Sequence, residues 1–384
     1  MNRIYLDHNA TTPVRAEALE AALPYMERHF GNPSSVHWAG SEAREALEEA
    51  REDLASLVRA APREIIFTSG GSESNNLALK GVLEAAGNDR QHLVITAVEH
   101  AAVFECAQHL ERQGVQVTMV PADSAGIVVP DAIAQAITGD TVLVSAIHAN
   151  NETGTMLPIG EIGRVCRERG VIFHTDAVQV VGKLPVDLRE LPVDLLSISG
   201  HKLGALKGIG ALFVRGGTAL TGQIHGGPQE RRRRAGTENV AGAVSLGAAA
   251  RLATGGVSAH AEEMRRLRDR LWDGIQKSVP DVVQNGHPAL CLPNTLNVSF
   301  PGADGETVLV GLDLEGVAVS SGSACSTGSL EPSRVLLAMG LDERAALSSV
   351  RFSMGAGNTL EEIERTLALI APIVARARRA SAPA

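Results

Sequence analysis

An α/β fold built on a mainly parallel seven-stranded sheet, with a smaller α+β part, follows from three observations. Seven short apolar runs, at 64–68, 92–96, 115–119, 141–145, 171–174, 195–198 and 211–214, alternate with helical stretches between about residues 45 and 215. Most of these runs carry consecutive apolar residues rather than one at every second position, the pattern of strands covered on both faces. Finally, 384 residues can bury roughly three quarters of the unfolded surface, enough for one large and one smaller domain.

The elements divide accordingly. Ligands of open α/β sheets bind beyond the carboxyl ends of the strands, and Ser72, His100, Asp176 and Lys202 all fall just after such runs. A helical stretch over 237–279, broken by TGG at 254–256, is expected to bridge to a second domain. Further strand-like runs at 294–300, 317–320 and 349–353 lie among helices, as in an α+β domain. The expected division is a large domain over 16–255 and a small one combining 1–15 with 256–384. The last residues, 376–384, are rich in Ala, Arg, Ser and Pro and are expected to fray.

The balance of 35 Lys+Arg against 44 Asp+Glu, net charge −9, gives no general reason to expect direct nucleic-acid or anionic-membrane binding. No apolar run is long enough to cross a bilayer, and the N-terminus lacks the apolar stretch of a secretory signal, so the cytoplasm is the expected compartment. The four cysteines show neither a CxxC pair nor zinc-ligand spacing, and no metal site is expected. Cys106 and Cys166 sit in helix-like apolar stretches and read as small core residues. Cys325 lies in SSGSACSTGS at 320–329, whose small polar residues suit an exposed loop.

Two strand ends carry the chemical signal. Lys202 closes DLLSISGHK at 194–202, and Asp176 closes GVIFHTD at 170–176. Such residues can be ordinary surface charges. They also suit an aldehyde cofactor, with the lysine forming a Schiff base and the carboxylate keeping a pyridine nitrogen protonated, as pyridoxal phosphate requires. TSGGS at 68–72 opens a helix and reads either as plain capping or as a phosphate cradle, because free N–H groups at a helix start attract anions. His100 reads either as a buried structural histidine or as a ring-stacking proton carrier. NNETG at 150–154 and DAVQ at 176–179 add amides that could reach a ring hydroxyl.

Taken in order, YLDHNATTP at 5–13, GNPSS at 31–35, FTSGGSESN at 67–75, EH at 99–100, NNETG at 150–154, HTDAVQ at 174–179, SGHK at 199–202, AGT at 235–237, SSGSAC at 320–325 and SVRFS at 349–353 resemble the group I (NifS/IscS-type) cysteine desulfurases. These are class V, fold-type I pyridoxal-phosphate enzymes. The resemblance implies that Lys202 holds the cofactor, Asp176 pairs with its ring nitrogen and His100 stacks on the ring. It assigns Gly71, Ser72, Ser199 and His201 to the phosphate, with Thr237 reaching in from the second subunit of a homodimer. Gln179 is implied at the ring oxygen, Asn151 between ring and substrate, Arg351 at the substrate carboxylate, and Cys325 as the nucleophile. The implied reaction takes sulfur from L-cysteine, leaving L-alanine and a persulfide for a sulfur-acceptor protein, either an iron-sulfur scaffold or a tRNA-thiolating enzyme. A selenocysteine lyase or aminotransferase of the same superfamily is the alternative, against which Cys325 weighs because transamination needs no thiol there.

The chain departs from the family pattern in places. GALKG at 204–208 replaces the usual Tyr-Gly-Pro-Lys-Gly, and proline stands at 228 where a third glycine is common. The chain ends soon after its last helix, without the extension some members use to dock a scaffold, which leaves the acceptor open. The basic run RRRR at 231–234 is expected to be a solvated loop beside the dimer interface and the cofactor phosphate.

Overall fold

The computed structural model describes residues 3–87, 91–321 and 331–381. Its strands are β1 (Ile4–Tyr5), β2 (Ile65–Thr68), β3 (His92–Thr96), β4 (Gln116–Val120), β5 (Thr141–Ser145), β6 (Ile172–Asp176), β7 (Leu195–Ser199), β8 (Gly210–Val214), β9 (Val283–Asn285), β10 (Thr295–Ser299), β11 (Val317–Ala318) and β12 (Ser349–Ser353). Seven of them form the central sheet, in the order β2-β8-β7-β6-β5-β3-β4. Neighbours run parallel except at β8, which is antiparallel to both β7 and β2.

The double-sided apolar pattern has its cause in this sheet. Along β7, Leu195 packs into a cluster with Leu143 and Leu212, while Leu196 and Ile198 face another with Phe173 and Phe213. Each such side chain, taken from water to full burial, contributes about 1.5–3 kcal/mol. β4 differs from expectation: it is the sheet edge, and Met119 is half exposed. By contrast β5, β7 and β8, buried at every position, each have a neighbouring strand on both sides.

A further cluster joins Ile4 and Leu6 to Leu267, Leu271, Val298, Phe300, Phe352 and Ile370. It is built on the antiparallel sheet β12-β10-β9, with β1 and β11 paired beside it. An isolated parallel bridge from Asp7 to Ser353 ties the N-terminal segment to β12 and leads it on toward the carboxyl edge of the large sheet.

The stretch read as one broken helix over 237–279 is two helices, Val240–Thr254 and Val257–Ser278, bent by 78° at the glycine pair. The first starts later than expected because the Asn239 side chain accepts from Gly242 N at 3.0 Å and caps it there. Among the described residues no single helix is long and apolar enough to cross a membrane.

The basic run is only partly a solvated loop. Arg231 and Arg232 are exposed, but Glu230, just before them, is buried and forked by Arg51 at 2.8 and 2.9 Å. Glu230, Arg231 and Arg232 take φ of 45°, 58° and 64°, a left-handed run that costs non-glycine residues about 1–3 kcal/mol each. The buried pair holds it in place. Arg234 then reaches Glu73 in the first turn of the helix Gly71–Ala86.

Candidate active site

A cleft of about 980 Å³ opens at the carboxyl edge of the sheet. Glycines and helix starts build one end of it. β2 runs into the helix Gly71–Ala86, whose first N–H groups have no intrahelical acceptor. A Cβ on Gly71 would come within 2.7 Å of the Val178 side chain, and one on Gly210 within 2.6 Å of Gly70 Cα. Small residues therefore let β8 and the turn close together, which leaves Gly71, Ser72, Ser199 and His201 on one rim of the cleft.

Asp176 ends β6 and lies beside β7, on which Ser197 is its register partner. Its carboxylate accepts from Val178 N at 3.0 Å and from Asn75 Nδ2 at 2.7 Å, which fixes its orientation. The Lys202 ammonium donates to the carbonyls of Asn9 and, at 2.6 Å, Ala10. His100 caps the helix Ala101–Arg112, its Nδ1 accepting from Ala102 N at 3.0 Å; that leaves Nε2 to carry the ring hydrogen. His201 Nδ1 lies 3.1 Å from Thr11 Oγ1, and burial with Lys202 and Lys207 nearby pushes its pKa down to about 4. It is therefore a neutral imidazole near pH 7.

Gln179 donates to Asn9 O at 3.0 Å. Asn151 and Arg351 close the opposite wall, where Arg351 donates to Asn151 O at 3.0 Å and to Asp7 Oδ1 at 2.6 Å. Arg351 is 1 % exposed and is the largest fully buried side chain among the described residues; it lines the cleft with its guanidinium engaged by Asp7. Ten predicted positions thus share one cleft. Thr237 does not line it and is exposed, and Cys325 lies outside the described residues. The flanks of Cys325 are described: Ser320 exchanges backbone bonds with Arg351 at 3.1 and 2.7 Å, and Glu331 and Pro332 line the cleft.

Several participants carried no local signal. Asn9 joins Lys202, Gln179 and Lys183, the last donating to Asn9 Oδ1 at 2.9 Å and Gln179 Oε1 at 2.8 Å. Lys183 follows Gln179 by one helical turn's spacing, the one hint the chain offered. Glu99 is fully buried in the cleft wall, its Oε1 accepting from Thr96 and from Ile147 N at 2.6 and 2.8 Å.

The remaining predicted cysteines behave as core residues. Cys106 and Cys166 are buried, and burial pushes their thiols up to about 11 and about 12.

Burial, reinforced by the charge of Asp176, pushes the Glu99 carboxyl up to about 8. The folded state therefore holds a proton that the unfolded chain gives up above pH 4.5, so this residue costs stability as pH rises from about 5 to 8. The loss is at most about 1.4 kcal/mol per pH unit. Glu99→Gln should flatten that decline, and parallel melting curves of the two proteins across this range would show the idea wrong.

The residues present fit pyridoxal phosphate: an anion cradle at a helix start, an oriented carboxylate, a lysine and an imidazole converge on one cleft. Two buried polar atoms in its wall, Asn75 Oδ1 and Glu99 Oε2, lack a partner among the described residues.

The chain belongs to the class-V aminotransferase family, whose model matches residues 4–366. Members of this family depend on pyridoxal phosphate. Within it, the chain is similar to the cysteine desulfurase IscS of Dictyoglomus turgidum, at 48% identity over 98% of this chain and 96% of that protein. A solved NifS-like protein matches with a TM-score of 0.92 and 37% identity, covering 98% of this chain and 100% of that one. The structure of SspA in complex with cysteine matches at 36% identity and a TM-score of 0.81, over 92% of this chain and 99% of that one.

Proposed function

We propose that the chain is a pyridoxal-phosphate-dependent cysteine desulfurase that takes L-cysteine, releases L-alanine and carries the sulfur on Cys325. The observation that carries this reading is the convergence of Lys202, Asp176, His100 and the Gly71–Ser72 turn on a single cleft with Arg351 opposite.

In this reading the helix start, Ser199 and His201 hold the cofactor phosphate, and a neutral His201 presents one N–H to it. Asp176, oriented by Asn75 and Val178, holds the proton on the ring nitrogen. His100 offers its face and Nε2 to the ring and to proton movement. Arg351, loosened from Asp7, takes the substrate carboxylate in a bidentate fork. When bound, pyridoxal phosphate supplies the electron sink that lets the substrate carbon framework give up its sulfur. The Cys325 thiolate then forms an S–S bond to the substrate sulfur as the C–S bond breaks. The electron pair of that bond stays on carbon and is protonated to give alanine, so the step needs no outside oxidant. Incubation with L-cysteine should yield alanine and an equal amount of reductant-labile sulfur on protein; amine transfer to a keto acid without bound sulfur would instead support an aminotransferase.

We further propose a homodimer. Exposed large apolar side chains concentrate between Met26 and Trp38, with Phe30 82% and Val36 94% exposed, and Thr237 stands outside its own chain's cleft, as a residue serving a neighbour would. Mixing a Thr237→Ala chain with a Lys202→Ala chain should restore part of the activity through hybrid dimers with one intact site. A fully active monomer would rule this out. The two-domain division at 16–255 is proposed on the apolar cluster that joins Ile4 and Leu6 to residues beyond the glycine bend, while Leu292, Val335, Leu336, Met339 and Ala346 pack back into the cluster of the large sheet. An iron-sulfur scaffold or a tRNA-thiolating protein is the proposed sulfur acceptor.

A further inference from the structure

Behind Lys202 lies a second cavity, of about 240 Å³, many times the roughly 10–15 Å³ that a single water needs. We propose that it is a binding site for a small oxyanion, seated between Arg15, Lys183 and His260 and able to act on Lys202 from the side away from the cofactor cleft.

The lining is the reason. His8, Arg15, Lys183, Lys202 and His260 all face this cavity, and among the described residues no Asp or Glu does. That composition is unusual for a chain whose net charge is −9. The two acceptors recorded for Lys183, Asn9 Oδ1 and Gln179 Oε1, are both neutral. The basic groups also press on one another. Burial, then Lys202 and Arg351, hold the Lys183 amine well below the usual lysine range. Burial, then Lys183 and His260, push His8 down to about 4. His260 is lowered by burial, Arg15 and Lys183, with Glu263 opposing. An anion among them relieves this repulsion and raises their proton affinity, so it should enter with proton uptake and bind more tightly as pH falls.

The cavity is distinct from the cofactor cleft. Lys202 lines both, whereas neither Asp176 nor the Gly71–Ser72 turn reaches the rear one. Its walls come from both sides of the glycine bend, with Ala253 before it and His260 and Met264 after it. An occupant would therefore tie the helix Val257–Ser278 to the lysine.

Sulfate and acetate, titrated calorimetrically into cofactor-saturated protein at constant ionic strength, test the site with probes of two shapes. One saturable site per chain is expected, with affinity rising between pH 8 and pH 6 and proton uptake visible in the dependence on buffer ionisation heat. Tighter sulfate binding identifies a tetrahedral dianion, tighter acetate binding a carboxylate. Arg15→Gln and Lys183→Gln should each weaken binding about tenfold or more, as expected for removal of a partly buried charge partner. Ala253→Met, which keeps every basic group but fills the space, should abolish it even if a charge variant fails to fold. Absence of a saturable heat with either ion, binding that survives the filling variant, or binding that excess pyridoxal phosphate competes away would overturn the assignment. None of these outcomes depends on whether L-cysteine is the substrate.

Discussion

Replacing Lys202 with alanine should leave a folded chain that no longer fixes pyridoxal phosphate on borohydride treatment and turns over about 10²–10⁴-fold more slowly or not at all. Folding should survive because Lys202 is only partly buried and its recorded acceptors are the carbonyls of Asn9 and Ala10 on the cleft wall. The result discriminates sharply because a rival exists. Lys183 shares Asn9 with Lys202, and its amine is held well below the usual lysine range by burial and by the charges of Lys202 and Arg351. A neutral amine is the reactive form, and an ordinary lysine at a pKa of about 10.4 is neutral only about once in a thousand at pH 7. Position decides between the two: Lys202 follows β7 beside Asp176 and lines the cofactor cleft, whereas Lys183 lines the rear cavity and not that cleft. Peptide mapping of the reduced protein should put the pyridoxyl group on Lys202, and a label on Lys183 would reverse the two assignments.

What could be read from the chain and what could not follows a physical line. The central sheet was legible because a strand buried on both faces is made mainly of apolar residues, and β5, β7 and β8, buried at every position, add to theirs only glycine, serine or threonine. Lys202, Asp176 and His100 stood out because a charged or titratable group ending such a run is locally anomalous. β4 was grouped with the inner strands although Gln116 and Thr118 alternate with Val117 and Met119, a pattern that fits the sheet edge it occupies. Partnerships formed across the fold left no trace in the sequence. Glu230 meets Arg51 across 179 positions, and Asp7 meets Arg351 across 344; neither pair has a spacing that could have revealed it. The basic run at 231–234 was read as solvated for this reason: its anchors, Arg51 and Glu73, come from distant elements. Resemblance supplied roles for Gln179, Asn151 and Arg351 but not for Asn9, which accepts from Gln179 and donates to Asn151 O, and whose amide also bonds Lys183 and Thr295.

Cys325→Ser should separate the two halves of the proposed reaction. Cofactor binding depends on the sheet edge, and no residue there needs the thiol, so the variant should take up pyridoxal phosphate with unchanged affinity and its absorbance should still respond to added L-cysteine. Alanine formation should fall about 10³-fold or more, because serine is hardly ionised where cysteine, at a pKa of about 8.5, is a few per cent thiolate near pH 7. The described flanks support the choice of this position over the other cysteines. On one side Ser320 is bridged through its backbone to Arg351 in the cleft wall. On the other, Arg334 donates to Ala97 O at 2.7 Å and stacks 3.9 Å over the Phe104 ring, one helical turn beyond His100. Both ends of the segment carrying Cys325 are thus moored at the cleft. Cys106 and Cys166 are buried with thiols pushed up to about 11 and about 12, and Cys291 is buried against Arg268, 3.0 Å from its guanidinium. None of the three offers an exposed thiolate. In the wild type, mass spectrometry after L-cysteine treatment should therefore find one extra sulfur on the peptide containing Cys325, removable by reductant. Sulfur on any of the other three peptides, or alanine formation at the normal rate in the serine variant, would remove Cys325 from the mechanism and with it the case for a persulfide carried by this chain.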